Sequence, residues 1–422
     1  MSKIIPTINT VNTINTTYTI TTTLPPNENY IRHISISTTT YETFSCEIPN
    51  YTFDNIEILP GDSLFAFVEV LIDPNNFTNP FVVKDSIVFK NEKKQKDVKL
   101  ISWGQNAYFH YGDTILTNQT WQSDKPHVLY GEVIVGGGAT LTINECTQVY
   151  GYNFSRLNIA RGSSLNVNGT VGCPVTFQGS RKEERYENEP GQWIGIRLLP
   201  GAAKSFINHA IIKNGFRGLE VDSMLPSREP NLIIQNSTIA NMNLVCLLGY
   251  TASISAINCE LINSCEYLFV GELGGNYNFT YCTLGNFQKS CVRNKPSVYL
   301  SNADYEDANS VVYENPLDFS FVNSIIYGSQ ENEIGENYSG KGAISAILSH
   351  NLMRTEIEEF NVNNNLLNID PLFVNSAEFN YQLDSLSPAE GKAIPVNGIK
   401  TDYFLNTRDP NNPDIGAFEK QD

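Results

Sequence analysis

The chain has 422 residues, a formal net charge of −17, and charged residues at only 17% of its positions. This length exceeds what one compact core supports, so we expect two or more units or an elongated repeat. The negative charge repels phosphate backbones, and no apolar run approaches the roughly 18 residues that a membrane span needs. We therefore expect no nucleic-acid partner and no transmembrane segment.

The first quarter of the chain reads as short alternating strands separated by turn residues. Examples are Ile56–Ile58, Leu64–Val70, Ser86–Phe89 and Val98–Ser102. Strand periodicity with such punctuation predicts an antiparallel β-sandwich, which we assign to residues 1–112. Residues 113–127 contain few apolar side chains, and we predict a linker there.

From residue 128 onward, similar short sequences recur. Aligned on one polar residue, they are Asn208-His209-Ala210-Ile211, Asn236-Ser237-Thr238-Ile239, Asn258-Cys259-Glu260-Leu261, Tyr281-Cys282-Thr283-Leu284 and Asn323-Ser324-Ile325-Ile326. A period of roughly 22 to 28 residues with about three strands per unit is typical of a solenoid of parallel strands. We predict about ten coils over residues 128–370, with residues 371–422 as a C-terminal cap.

Equivalent residues of successive coils stack about 4.8 Å apart, so the alignment predicts ladders of like residues. One ladder is apolar and comprises Ile211, Ile239, Leu261, Leu284 and Ile326. Asparagine suits the corner because it tolerates a left-handed backbone conformation.

The same alignment places His209, Cys259 and Cys282 at one inward position. We expect a buried histidine there, and buried cysteines that act as small hydrophobic residues rather than as a disulfide or metal site. The chain has 8 cysteines and no CxxC pair, so its sequence leaves the choice between disulfides and free thiols open.

Several motifs carry a family resemblance. They are Gly138-Ala139-Thr140-Leu141-Thr142-Ile143, Gly191-Gln192-Trp193-Ile194-Gly195-Ile196, Asp370-Pro371-Leu372-Phe373 and Asp414-Ile415-Gly416-Ala417-Phe418-Glu419. With them the sequence resembles right-handed parallel β-helix proteins of the pectate-lyase-like superfamily. More narrowly, it is similar to surface lipoproteins of the Bacteroidetes that pair an Ig-like N-terminal module with a β-helix. The resemblance implies an all-β fold with an Ig-like sandwich followed by a right-handed β-helix.

The same resemblance implies a location outside the cell or on the outer-membrane surface. The lipid-acceptor cysteine expected just after a leader is absent, since Cys46 already lies within the predicted sandwich. The start, Met1–Pro6, has no apolar region typical of a signal peptide.

Signatures for catalysis are incomplete. The Asn-Thr-Asp, Asp-Asp, Gly-His-Gly and Arg-Ile-Lys motifs of hydrolases with this shape do not occur. A lyase needs an arginine or lysine base, and Arg185 is the candidate, in a loop whose acidic residues are Glu183, Glu184, Glu187 and Glu189. These glutamates are candidate metal ligands for Ca²⁺, but no calcium-loop motif supports them, and we expect no cofactor. The alternative is a solvated insertion between two coils.

A second candidate region interrupts the repeat with Tyr299, Tyr305 and Tyr313 beside Asn302 and Asp304. Aromatic rings next to short polar side chains suit sugars, because the ring covers C–H surface while the amides and carboxylates bind hydroxyls. The alternative is an ordinary long loop between coils.

We therefore predict a noncatalytic extracellular or cell-surface module, monomeric, that binds a polysaccharide, a cell-surface glycan or another surface partner along its β-helix. Two alternatives stay open. One is a polysaccharide lyase-like enzyme, and the other is a structural adhesin or scaffold.

Overall fold

The computed structural model describes residues 106–223, 229–306 and 311–421. Before residue 106 it describes residue 94 and eight strands. The chain divides into two compact units, Met1–Asn106 and Ala107–Asp422. The described regular structure is almost entirely β, which confirms the predicted all-β class. None of the described helices is long and apolar enough to cross a membrane.

The first unit contains two antiparallel sheets of four strands each, with the orders β1-β6-β3-β4 and β5-β2-β7-β8. Its strands are β1 (Thr7–Asn9), β2 (Thr16–Thr22), β3 (Ile31–Thr38), β4 (Thr43–Cys46), β5 (Thr52–Ile58), β6 (Ser63–Val70), β7 (Phe81–Lys90) and β8 (Gln95–Gly104). The four strands expected from periodicity fall within β5 to β8. An Ig-like arrangement stays a prediction.

The second unit is built from short strands that recur in groups of three. Those of the first five coils are β9 (Tyr108–Tyr111), β10 (Thr114–Ile115), β11 (Gln119–Trp121), β12 (His127–Tyr130), β13 (Glu132–Val135), β14 (Thr140–Asn144), β15 (Gln148–Gly151), β16 (Arg156–Ile159), β17 (Ser164–Asn168), β18 (Val175–Gly179), β19 (Gly195–Leu198), β20 (Ser205–Asn208), β21 (Ala210–Lys213), β22 (Arg217–Asp222) and β23 (Leu232–Gln235). Short 3₁₀ turns lie at Glu184–Tyr186, Glu358–Phe360 and Ser376–Glu378.

The remaining strands complete the solenoid and the C-terminal segment. They are β24 (Thr238–Met242), β25 (Val245–Tyr250), β26 (Ser253–Ile257), β27 (Glu260–Ser264), β28 (Tyr267–Glu272), β29 (Gly275–Thr280), β30 (Thr283–Asn286), β31 (Val298–Ser301), β32 (Tyr305–Glu306), β33 (Val312–Tyr313), β34 (Leu317–Val322), β35 (Ile325–Gly328), β36 (Ile334–Asn337), β37 (Ile344–Ser349), β38 (Leu352–Met353), β39 (Leu366–Leu367), β40 (Phe373–Asn375) and β41 (Asn380–Leu383).

Three long parallel sheets form the walls of the solenoid. Sheet 1 has eleven strands in the order β9-β12-β15-β18-β21-β24-β27-β30-β35-β38-β39. Sheet 2 has nine, β10-β13-β16-β19-β22-β25-β28-β31-β36, and sheet 3 has nine, β11-β14-β17-β20-β23-β26-β29-β34-β37. Each coil passes through sheets 1, 2 and 3 in turn, which confirms the predicted right-handed parallel β-helix.

Inward-facing side chains of the three sheets form one continuous apolar core that runs from Ile115 to Phe360. Four residues of the predicted ladder, Ile239, Leu261, Leu284 and Ile326, are buried and paired in register. Cys259 and Cys282 are buried, unpaired thiols, as expected for small core residues. Burial raises the pKa of the Cys259 thiol, so it stays protonated.

His209 does not share the position of Cys259 and Cys282. Strand β21 pairs Ile212, not Ile211, with Ile239, so the predicted alignment is wrong by one residue in this coil. His209 instead takes the left-handed corner position, with φ 45°, that Asn236 takes in the next coil with φ 49°. The corner asparagines do form a ladder, because Asn258 Nδ2 donates to Asn236 Oδ1 at 3.1 Å.

Residues 113–127, which we predicted to be a linker, instead form part of the first coil. Strands β10 and β11 pair in parallel with β13 and β14. The few apolar side chains are spaced so that Ile115 and Trp121 point inward and are buried. Because one coil needs only a few apolar residues pointing inward, a segment of low apolar content can form a coil and still be mistaken for a linker.

Residues 371–421 lie along the outer face of sheet 1 rather than only over the end of the solenoid. Tyr381 Oη donates to Asn263 Oδ1 at 2.7 Å, and Ala417 N donates to Thr283 Oγ1 at 3.0 Å. Glycines clear space for this packing, since a Cβ on Gly285 would lie 2.3 Å from the Tyr381 ring. Part of the solenoid wall is therefore covered by the chain itself.

Two disulfides tie neighbouring coils together. They join Cys146 to Cys173, with Cα atoms 4.6 Å apart, and Cys265 to Cys291, with Cα atoms 5.7 Å apart. Cys246 is a buried free thiol.

Candidate functional site

The outer face of sheet 2 gathers charged and aromatic side chains from five neighbouring strands, β19, β22, β25, β28 and β31. Alternate residues of each strand point outward, while partners such as Leu219, Leu247 and Phe269 fill the core. The parallel register stacks the outward residues in three rows. The rows are Arg197-Glu220-Leu248-Val270-Tyr299, Asp222-Tyr250-Glu272 and Arg217-Val245-Tyr267. We call this surface the sheet 2 face.

Ion pairs dominate one end of the sheet 2 face. Arg197 Nε lies 2.9 Å from Glu220 Oε1, and Arg197 Nη2 lies 2.8 Å from Asp222 Oδ2. Arg217 Nη1 lies 3.5 Å from Glu220 Oε2. One guanidinium thus bridges two carboxylates, and a second borders the pair.

These contacts perturb the titration of the groups involved. Burial by itself lowers the pKa of Arg197, but the Asp222 and Glu220 carboxylates outweigh it and hold the pKa above its usual value. Burial and the nearby carboxylates of Glu272 and Glu220 raise the pKa of Tyr250. At neutral pH the arginine is therefore charged and Tyr250 keeps its proton.

Aromatic rings cover the other end of the sheet 2 face. Val245, Leu248 and Val270 point outward, yet no more than 6% of each is exposed. They are covered because Tyr250, Tyr267 and Tyr299 pack against them. The Tyr267 and Tyr299 ring centroids lie 6.0 Å apart at 49°. The three tyrosines stay partly exposed and cover this apolar patch beside the ion pairs.

A second aromatic cluster lies on sheet 1 near the first coils. Tyr111, Tyr130 and Tyr152 stack in register, with centroids 4.8 and 4.7 Å apart, and Phe109 lies beside them. Tyr111 is 69% exposed. These rings stack face to face, so they present mainly edges and hydroxyl groups to solvent. An aromatic ring binds a sugar through its face, and the Tyr267 and Tyr299 rings of the sheet 2 face, tilted at 49°, are not stacked on one another.

The structure separates the residues of the predicted aromatic region. Tyr299 lies on the sheet 2 face, whereas Tyr305 and Tyr313 stack with centroids 6.1 Å apart on the β32–β33 hairpin. Asn302 is buried, and its Nδ2 donates to Gly342 O at 2.8 Å, so its amide positions the next coil. Asp304 Oδ1 accepts the Lys341 backbone N–H at 3.0 Å.

The predicted acidic loop folds around its own aromatic residue. Arg185 is exposed and lies 4.5 Å from the Tyr186 ring centroid, with Nη2 donating to Tyr186 Oη at 2.8 Å. Glu183 pairs with Arg181 at 2.7 Å. Asn214 Nδ2 donates to the Glu187 carbonyl at 2.8 Å, which anchors the loop on sheet 1.

Glu184 and Glu189 complete the predicted metal set in this loop. Within the described residues, this loop included, no three His, Cys, Asp or Glu side chains are arranged to hold a metal ion. Ligation by the four glutamates stays a prediction.

Sequence reasoning found Tyr299 but missed Tyr250 and Tyr267. Both lie at ends of the second strand of their coils, in the segments Val245–Tyr250 and Tyr267–Glu272. Alignment on the corner asparagine leads to the first strand of each coil only. Aligning the second strands as well would have placed these tyrosines next to Tyr299.

Residues 113–221 match the family model described as a pectate-lyase like beta helix domain. The match includes β19 and all of β22 except its last residue, and therefore Arg197, Arg217 and Glu220 of the sheet 2 face. No curated protein and no solved structure matches the chain significantly. Together with the three parallel sheets, the match supports the β-helix superfamily and, at the level of the family, a carbohydrate-related function outside the cell.

Proposed function

We propose that this protein is a noncatalytic extracellular or cell-surface module that binds glycan on the sheet 2 face. The observation that carries this proposal is the tyrosine surface formed by Tyr250, Tyr267 and Tyr299 directly beside the Arg197 ion pairs. Apolar sugar faces and polar sugar hydroxyls need these two kinds of surface side by side.

The charged groups suit hydroxyl recognition. Glu220 and Asp222 accept hydrogen bonds, and the guanidinium groups of Arg197 and Arg217 donate them. The side chain of Arg217 is 35% exposed and that of Arg197 is 29% exposed, so both can reach a ligand. Because the ion pairs hold these groups in place, little ordering is needed on binding.

The same ion pairs argue against hydrolysis at this face. Inverting and retaining hydrolases both need one carboxylic acid that donates a proton to the leaving oxygen. Glu220 and Asp222 both contact the Arg197 guanidinium, and their side chains are only 6% and 20% exposed, so neither carboxyl group is presented to a leaving oxygen. Neither is suited to act as the acid.

The two disulfides support a location outside the cytoplasm. Disulfides persist in oxidising compartments and are rare where thiols are kept reduced. The Cys146–Cys173 and Cys265–Cys291 bonds therefore favour an exported protein.

The test is a binding assay of the whole chain against a panel of soluble polysaccharides, by affinity electrophoresis and calorimetry. We expect Tyr299→Ala and Tyr267→Ala each to weaken binding about tenfold, equivalent to about 1.4 kcal/mol. The matched control is Tyr130→Ala, which removes a ring from the sheet 1 stack and should leave affinity unchanged. Equal affinity of wild type and both sheet 2 variants would contradict the proposal.

The lyase alternative is tested in the same samples. If unsaturated product formed from an acidic polysaccharide and was lost in Arg185→Ala, the function would be catalysis rather than noncatalytic binding. An adhesin or scaffold predicts neither product nor dependence on Tyr299.

A further inference from the structure

The sheet 2 face contains two guanidinium groups, and what they are bound to decides which glycans they can recognise. A uronate ligand is best held by a free arginine through a bidentate contact to its carboxylate. Arg197 already binds one carboxylate through Nε and another through Nη2. The charge of this guanidinium is therefore already matched by two of the protein's own carboxylates, and Nη2 already donates to Asp222 Oδ2.

Around the tyrosines, carboxylates outnumber cationic side chains. Arg217 lies 3.5 Å from Glu220. Glu272 lies close enough to Tyr250 that its negative charge, second to burial, raises the pKa of that tyrosine. At the Tyr267 end, the positive charge of Lys295 is accompanied by the negative charge of Glu266. Four carboxylates thus accompany three cationic side chains on and around the face, within a chain of formal charge −17.

We infer that the sheet 2 face selects neutral glycans and rejects polyuronates, with the Arg197–Glu220–Asp222 ion pairs as the element that sets this preference. The inference rests on the proposed function and names its ligand class. Binding of a neutral chain involves no electrostatic repulsion, whereas a polyuronate meets guanidinium groups that are already paired and a local excess of one negative charge. The tyrosine rings serve both kinds of chain equally and do not discriminate between them.

The experiment compares neutral polysaccharides (galactan, xylan, mannan and β-glucan) with acidic ones (polygalacturonate and alginate), using wild type, Tyr299→Ala and Asp222→Asn. We expect a neutral polymer to bind wild type at least about tenfold more tightly than either acidic polymer. Asp222→Asn keeps the shape of the side chain and removes one negative charge, so Arg197 Nη2 no longer faces a carboxylate at this position. It should therefore strengthen binding of an acidic polymer about tenfold.

Two controls keep the result interpretable. Glu359→Gln also removes one charge, but from an exposed turn of the last coil, and should leave both affinities unchanged. Glu272→Gln removes a carboxylate beside Tyr250 without breaking an ion pair, so it tests the same preference if Asp222→Asn fails to fold. We expect it to strengthen binding of acidic polymers less than Asp222→Asn does.

The outcomes separate the two proposals. Tighter binding of an acidic polymer by wild type, weakened by Tyr299→Ala, overturns the inference and leaves the proposed function intact. No gain of acidic binding in Asp222→Asn, or in Glu272→Gln where the first is unfolded, also overturns the inference. Absence of any binding that depends on Tyr299 overturns the proposed function and the inference with it.

Discussion

The Glu260 carboxylate accepts a hydrogen bond of 2.8 Å from Thr238 Oγ1, and both side chains are buried between sheet 1 and the C-terminal segment. Tyr403 of that segment lies 3.0 Å from the same Thr238 oxygen, hydroxyl to hydroxyl. Burial raises the pKa of Glu260 to about 7, although the Thr238 hydrogen bond lowers it somewhat. A carboxyl group with so high a pKa is protonated in mildly acidic solution.

This arrangement predicts that Glu260 lowers stability as the pH rises. The pKa is about 4.5 in the unfolded chain and about 7 when folded, so the folded state binds more protons between these values. Stability from this group is lost as pH rises through 7, by up to about 3 kcal/mol. Melting temperatures at pH 5 and pH 8 should differ less in Glu260→Gln than in wild type. An unchanged difference would contradict the role of Glu260.

A histidine pair in the first coils predicts the opposite slope. His110 Nε2 lies 3.0 Å from His127 Nδ1, and Trp121 stacks on both rings. Burial, and then the charge of His110, lower the pKa of His127 to about 4. The unfolded chain therefore binds more protons between pH 4 and 6.5, and stability falls as the pH drops through this range.

The effect is measured as the fall in melting temperature from pH 7 to pH 4.5. We expect His127→Gln to reduce that fall, whereas His350→Gln, on a more accessible ring, should change it little. Because Glu260 acts in the opposite sense over an overlapping range, the comparison is clearest in a Glu260→Gln background. A fall of equal size in both histidine variants would count against the His110–His127 pair.

The repeat could be predicted from sequence because stacking forces like residues into register. Ile239, Leu261, Leu284 and Ile326 show this, and so do Cys259 and Cys282. The position of His209 was mispredicted because histidine, like asparagine, can occupy a left-handed corner. The coil therefore aligned equally well on Asn208.

The sheet 2 face was harder to predict, because its members come from five coils and lie together only through the register of a second strand. Tyr299 was identified from its residue type, whereas the ion pairs of Arg197 depend on stacking that no local pattern of sequence reveals.

Arg408 is predicted to hold the C-terminal segment on sheet 1. Its guanidinium donates to Asn258 Oδ1 and Gly416 O, both at 3.0 Å, and lies 3.2 Å from Glu419 Oε2. Arg408→Leu leaves Glu419 buried without its cation, which costs about 3 to 5 kcal/mol. Limited proteolysis should then cleave within residues 371–422 faster than in wild type.

The matched control for Arg408 is Lys420→Met. Lys420 Nζ pairs with Glu390 at 2.9 Å, but this pair is partly exposed, and such pairs contribute less than about 1 kcal/mol. Proteolysis of the control should resemble that of wild type. Equal protection of Arg408→Leu would show that the segment is held by its apolar contacts alone.

The Cys265–Cys291 disulfide is predicted to secure the long connection between β30 and β31. It closes a separation of 26 residues, and cross-links of this length contribute about 3 kcal/mol by restricting the unfolded chain. The double variant Cys265→Ser/Cys291→Ser should therefore melt at lower temperature, and hydrogen exchange should rise in residues 287–297.

Cys246→Ser is a poor control because that thiol is buried in the core, so the Cys146→Ser/Cys173→Ser pair serves instead. Its exchange should rise near residues 144–175 and leave residues 287–297 protected. If both pairs raised exchange along the whole solenoid, the disulfides would stabilise the fold globally rather than coil by coil.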